Sequence, residues 1–134
     1  MSDGQAIKRL AGDPPSPYEL EYSYSRVVVA GPFVQIGGTT SVDISGCVIG
    51  MTPYEQTIEI FRKLLTELAR TGLGIADVTN TRVYVTDISR ATDVGRAHRE
   101  VFGEVRPLMT MVEVSALIDP RMLVEIELQA YRGA

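Results

Sequence analysis

Two segments near the end of the chain carry the residues best suited to chemistry: RPLMTMVEV, residues 106–114, and MLVEIELQAY, residues 122–131. Glu125 and Glu127 are two positions apart, so in a strand both carboxylates emerge on one face. A carboxylate held in that way can orient a water and take its proton. The same alternation is also what the wet face of a sheet displays, so what lies opposite the glutamates decides between the two. His98 is the single histidine and Cys47 the single cysteine. A nucleophile–base pair of these two has no support in their spacing. At helical spacing from Val94, Val101 and Phe102, His98 reads as bordering the core or a subunit contact. No cluster of His, Cys and acidic residues has the spacing of a metal site, so no metal or cofactor is expected. Gly37-Gly38-Thr39-Thr40 lacks the lysine and the glycine spacing of a phosphate loop. Its expected role is close backbone approach to a ligand or neighbouring subunit, with amides as donors.

The chain has 134 residues, 45% of them hydrophobic, which suits one domain and not two. Its formal net charge is -4 and its basic residues are dispersed. A nucleic-acid binder would show a positive stripe, so nucleic acid is not the expected partner. One cysteine allows no internal disulfide. The N-terminus lacks the apolar core of a signal peptide, and the longest apolar stretch is interrupted by Gly31 and Pro32. A cytoplasmic protein with no membrane association is expected.

Residues 1–18 are rich in Gly, Pro and Asp and read as an irregular arm, leaving 19–134 as the domain. YSRVVVA and PFVQIGG flank Gly31-Pro32 as a hairpin, and SGCVIG reads as a weak third strand. Thr52-Pro53-Tyr54-Glu55 has the N-cap, N1 proline and N3 glutamate of a capping box. Ile58, Phe61, Leu64, Leu65 and Leu68 then recur at helical spacing, up to a stop at Gly72. TRVYVTD is a strand with Val83 and Val85 on one side and Arg82, Tyr84 and Thr86 on the other. Ser89 is placed to cap a second helix. Two strands end the chain, one alternating Met109, Met111 and Glu113 with Thr110, Val112 and Val114. The other alternates Glu125, Glu127 and Gln129 with Val124, Ile126 and Leu128. The order β-β-(β)-α-β-α-β-β gives an α/β (α+β) two-layer sandwich, two helices on one face of a mixed sheet. This reading puts Arg82, Tyr84, Met109, Met111, Glu113, Glu125 and Glu127 together on the other face. That face is too polar for a core and too apolar for open solvent, a composition suited to a homo-oligomer.

The turn after an early strand, the VYVTDI strand leading into a helix and the RPxxTxVEV…LVEIExxA ending resemble the reactive intermediate deaminase (Rid, YjgF-like) family, known in older usage as endoribonuclease L-PSP. The resemblance spans residues 24–131. It implies a chorismate-mutase-like fold assembling as a homotrimer, with small-molecule clefts between subunits. The best-studied members hydrolyse enamines and imines such as 2-aminoacrylate to ketoacids and ammonia, without a cofactor. Transferred to this sequence, the family's tyrosine is Tyr24 and its water-positioning glutamate is Glu125. The serine of its SGQ turn is Gly37 here, and its helix asparagine is Gly95. The arginine that holds the substrate carboxylate is replaced by Met109.

An arginine fork makes two charge-assisted hydrogen bonds to a carboxylate, whereas methionine offers packing area alone. A 2-imino acid would also meet the carboxylates of Glu125, Glu113 and Glu127. Arg82 and Arg26 are candidate replacement clamps, and Arg106 falls in the loop before Pro107. The simpler role of these arginines is to neutralise the three glutamates. Three functions follow. One is an enamine/imine hydrolase of altered range, acting on neutral or cationic substrates, with Glu125 on water, Tyr24 and Thr39 or Thr40 on the ligand, and Met109 shaping an apolar pocket. The second is a non-catalytic metabolite-binding or interaction protein on the same fold. The third, RNA cleavage, is the least compatible with the acidic balance.

Overall fold

The computed structural model describes residues 6–133. The first hairpin forms as its turn chemistry dictates. Strands β2 (Val27–Ala30) and β3 (Phe33–Thr39) pair antiparallel, and Gly31 takes φ +59°, a conformation that costs glycine little. The expected third strand is a single bridge, Val42 to Val48, inside a loop. Helix α2 (Pro53–Ala69) starts where its cap predicts: the Thr52 side chain accepts from the Glu55 amide at 3.1 Å. Glu55 reaches back to the Met51 amide and not to that of Thr52. Ile60, Phe61, Leu64 and Leu68 form its buried side.

Strand β4 (Val78–Val85) leads through a short 3₁₀ turn into helix α3 (Ala91–Phe102). Asp87, not Ser89, caps that turn, because its carboxylate accepts both the Ser89 amide and hydroxyl. The chain ends with β5 (Leu108–Glu113) and β6 (Val124–Tyr131). β5 runs parallel to β4 after the α3 crossover, and β6 inserts antiparallel between β3 and β4. One end of the sheet departs from the sequence reading. Ile7–Leu10, in the segment expected to be irregular, is an edge strand, β1, on β2, and Pro17–Tyr22 is a short helix, α1, capped by Ser16. An edge strand needs only one partner's backbone groups, so it leaves little mark on composition. Residues 1–5 of the expected arm lie outside the described residues. The sheet order is β1-β2-β3-β6-β4-β5.

Helices α2 and α3 pack against each other on one face of this sheet. Val34, Ile36, Val83, Val85, Val124, Ile126 and Leu128 meet them there, all 2% exposed or less. Glu125, Glu127, Arg82 and Tyr84 stand on the opposite, open face, as the alternation required. β5 does not follow that reading. Its register sets Met109 beside Thr81, Met111 beside Val83 and Glu113 beside Val85, all on the helix side. Leu108, Thr110 and Val112 take the open face. An edge strand with apolar residues on both sides has no pattern that fixes its facing, and a one-residue slip exchanges the two sides. No helix among the described residues is long and apolar enough to cross a membrane.

Candidate functional site

The residues singled out from sequence fall into two groups on different sides of the sheet. The first surrounds Glu125. Its neighbour across β6 and β4 is Tyr84, and Gly38 lies directly against its carboxylate. A Cβ built on Gly38 would stand 2.7 Å from Glu125 Oε2. The missing side chain is what lets this carboxylate lie along the strand. Burial and the charge of Glu127 push the Glu125 carboxyl above the usual range, with Arg26 opposing them. Glu127 is engaged elsewhere, accepting a short hydrogen bond from the Tyr84 hydroxyl.

Arg26 ties this group together. Its guanidinium reaches Gly38 O and Thr39 Oγ1, each at 3.5 Å, and pairs with Glu19 at 3.4 Å. Glu19 is 3% exposed and accepts the amides of Gly12 and Ser16 at 2.8 and 2.7 Å. Burial would raise its pKa, but the two amides and Arg26 outweigh that and hold it below the usual value. Thr39 is buried and donates its hydroxyl to Gly37 O. Thr40 contributes its carbonyl: Lys63, from α2, donates to Thr40 O at 2.5 Å and Val42 O at 2.7 Å. Burial, reinforced by Arg26, lowers the Lys63 ammonium to about 8. Lys63 and Glu19 were missed from sequence because neither belongs to a motif. Each is a charged residue on a helix, and only packing shows that Glu19 is buried and Lys63 half-buried.

Ser25, Arg26, Gln35, Gly37, Arg82 and Glu127 border a depression of about 290 Å³ on the open face. Tyr24, 46% exposed and two residues before Arg26 in sequence, is not among the residues that border it. The expected ion pairing of the arginines with Glu113, Glu125 and Glu127 is not what the subunit contains. Arg26 pairs with Glu19, and Arg82 forms no ion pair among the described residues. Glu113, on the other side of the sheet, accepts the Ile88 amide at 3.0 Å.

The second group lies on the helix side. Met109, expected opposite Glu125, instead borders a cleft of about 400 Å³ with His98, Arg99, Phe102, Arg106 and Pro107. Arg106 is a loop residue in the left-handed region, φ +52°, and pairs with Glu104 at 3.6 Å. His98 packs against Phe61 and Phe102 and shares a 2.9 Å hydrogen bond with Thr81. Gly95, one turn earlier on α3, opens onto free space, since an added Cβ meets nothing within 4 Å. Cys47 is exposed in a loop organised by Asp43, and its Sγ accepts from Ser45. It has no part in either group.

The Gly38–Glu125 contact yields a prediction. Gly38→Ala should fold with a melting temperature within a few degrees of wild type, because the crowded atom is the end of a flexible side chain. Function that depends on Glu125 should nevertheless fall, because the carboxylate must swing away. Thermal unfolding and ligand-binding assays on one preparation check both halves.

Residues 16–132 match the family described as endoribonuclease L-PSP. The chain belongs to that family. Its relatives include SCO2049 of Streptomyces coelicolor, 39% identical over 97% of this chain and 96% of the relative. The RutC family protein PH0854 of Pyrococcus horikoshii is 32% identical over 81% of this chain and 86% of its own. Among solved structures, Rv2704 of Mycobacterium tuberculosis, a YjgF/YER057c/UK114 family member, superposes with a TM-score of 0.84. It is 41% identical and covers 94% of this chain and 99% of its own. The resemblance seen in the VYVTDI strand and in the C-terminal strands is therefore one of family, and the single sheet with helices on one face is the fold of these YjgF-type proteins.

Proposed function

We propose that this endoribonuclease L-PSP family member is a cofactor-independent hydrolase of enamines or imines with an altered substrate range, acting as a cytoplasmic homotrimer. One observation supports this most strongly: Glu125 is a half-buried carboxyl with a raised pKa, beside a glycine that keeps its approach clear. In this reading Glu125 takes a proton from water as its oxygen bonds to the imine carbon. For a protonated imine this gives a carbinolamine, whose nitrogen takes that proton back. The C–N bond then breaks as the hydroxyl oxygen forms the C=O bond and gives its own proton to Glu125, and ammonia leaves. The Glu125 group and the Met109 group lie on opposite sides of the sheet, so one subunit supplies each as half of a site. A neighbouring copy set against the open face would bring the halves of two subunits together. Exposed Phe33, Tyr131, Leu108 and Val112, on the same face of the sheet as Arg82 and Glu127, support such a contact.

Met109 supports a substrate without a free carboxylate, since its thioether makes no arginine fork at that position. The same residue favours a second reading, a binder of a small metabolite with no turnover. The assay that separates them generates 2-aminoacrylate and imines with apolar side chains in situ and follows keto product and ammonia. The hydrolase reading expects enhancement with the apolar imines, reduced at least about a hundredfold by Glu125→Gln. No enhancement with any imine leaves the binder.

Glu125 also makes a stability prediction. Its folded pKa is raised, so the folded state holds this proton more tightly than the unfolded chain. The stabilisation is complete below the unfolded value and is lost as pH rises through the folded one. At pH 7 Glu125→Gln is expected to be more stable than wild type, and near pH 4 equal to it. Urea titrations at the two pH values provide the check.

A further inference from the structure

The cleft bordered by His98 and Met109 is built from one subunit alone, from the end of α3 and the loop that leads into β5. Its polar floor is unusual. The His98 ring packs edge-to-face with Phe61 and tilted against Phe102, with centroid separations of 5.5 and 4.6 Å. Its Nε2 lies 2.9 Å from Thr81 Oγ1, which lies 3.3 Å from Leu108 O. The Thr81 hydroxyl has one proton. If that proton goes to Leu108 O, then Nε2–H donates to Oγ1 and all three groups are paired in one chain. The other imidazole nitrogen, Nδ1, then carries a lone pair. It has no partner among the described residues, and it is not sealed off, since the only fully buried side-chain polar atom lacking a partner there is Ser41 Oγ.

The rim carries charge of both signs, from Arg99, Arg106 and Glu104. Arg106 is engaged by Glu104, and the carbonyl end of α3 opposes the charge of Arg99. Phe102 and Met109 supply an apolar wall.

We propose that His98 is the recognition group of this cleft. It selects small uncharged ligands that lay an apolar or aromatic body on Phe102 and Met109 and donate one N–H to Nδ1. Thr81 is the positioning residue that fixes the ring's tautomer. This rests on the reading that the helix-side half takes part in ligand binding, but not on turnover.

Because His98 is the only histidine, its two ring nitrogens give an unambiguous pair of ¹⁵N resonances in the labelled full chain. The probes are indole and 1-methylindole, which share a body and differ in the N–H. The free protein at pH 7 should show the neutral Nε2–H form. Indole should shift the Nδ1 resonance and bind about tenfold more tightly than 1-methylindole, the effect of one hydrogen bond to an otherwise unpartnered acceptor. His98→Phe should bind both equally, and Thr81→Val should reduce the discrimination while mixing the tautomers. An Nδ1–H or imidazolium form in the free protein overturns the proposal. Equal affinity of wild type for the two probes, or no binding of either up to its solubility limit, does the same. The wild-type measurements stand even if a variant fails to fold. Indole bound at His98 without imine turnover retires the hydrolase and leaves this inference. Turnover with no probe discrimination does the reverse.

Discussion

A Met109→Arg variant is expected to process 2-aminoacrylate at least tenfold faster than the native chain at low substrate concentration. Position 109 borders the helix-side cleft, in register with Thr81, so a guanidinium there would enter the cleft at a point that now offers only a thioether. Charge-assisted hydrogen bonds to a carboxylate contribute roughly 1.5–3 kcal/mol, which corresponds to about tenfold to 150-fold in affinity. The gain should appear mainly in KM, because the fork grips the ground state and the transition state alike. Steady-state kinetics of both proteins against 2-aminoacrylate and an apolar imine make the check. A gain confined to the carboxylate-bearing substrate is the predicted result. An equal change for both would mean that position 109 does not contact the ligand carboxylate.

The largest stability effect is expected at Gln56, 1% exposed on α2. Its amide donates to Gly50 O at 3.2 Å and to Arg121 O at 3.0 Å, and its carbonyl accepts the Leu123 amide at 2.8 Å. One side chain thus joins the loop before α2 to the loop that feeds β6, the strand bearing Glu125. Gln56→Ala leaves three backbone groups without that partner and opens a void. At about 1 kcal/mol or slightly more for each bond, the loss is about 3–4 kcal/mol, a large part of a small domain's stability. Gln56→Glu should do no better at pH 7, because a carboxylate would face two carbonyls. Ser41→Ala is the control: its hydroxyl is buried without a partner among the described residues, so removing it should cost nothing or stabilise. Urea unfolding midpoints of the three variants test the set.

Much of the scaffold was legible because local rules and tertiary packing agree in it. The Thr52 cap, the apolar side of α2 and the alternation in β4 and β6 all follow from periods of 3.6 and 2. The family signature was legible for the same reason, since its strongest part is the period-2 pattern of β6. Legibility failed where a residue's environment comes from partners distant in sequence. β1 has no alternation of its own, and its place depends on the backbone edge of β2. Lys63, Glu19 and Gln56 resemble ordinary surface residues of helices until the loops they hold are in place.

The facing of β5 is the clearest case. From sequence, Met109 and Glu113 alternate with Thr110 and Val112, and both sets are mixed in polarity. The parallel register with β4 decides between them, and it sets Met109 with His98 and away from Glu125. The sequence by itself determined the family, the layers of the sandwich and the side of the sheet on which Glu125 lies, because strong periodic patterns admit one burial solution. Only the tertiary structure decided that the candidate residues fall into two groups divided by the sheet. Which side an edge strand shows is set by backbone pairing, and the strand's own side chains leave that choice open.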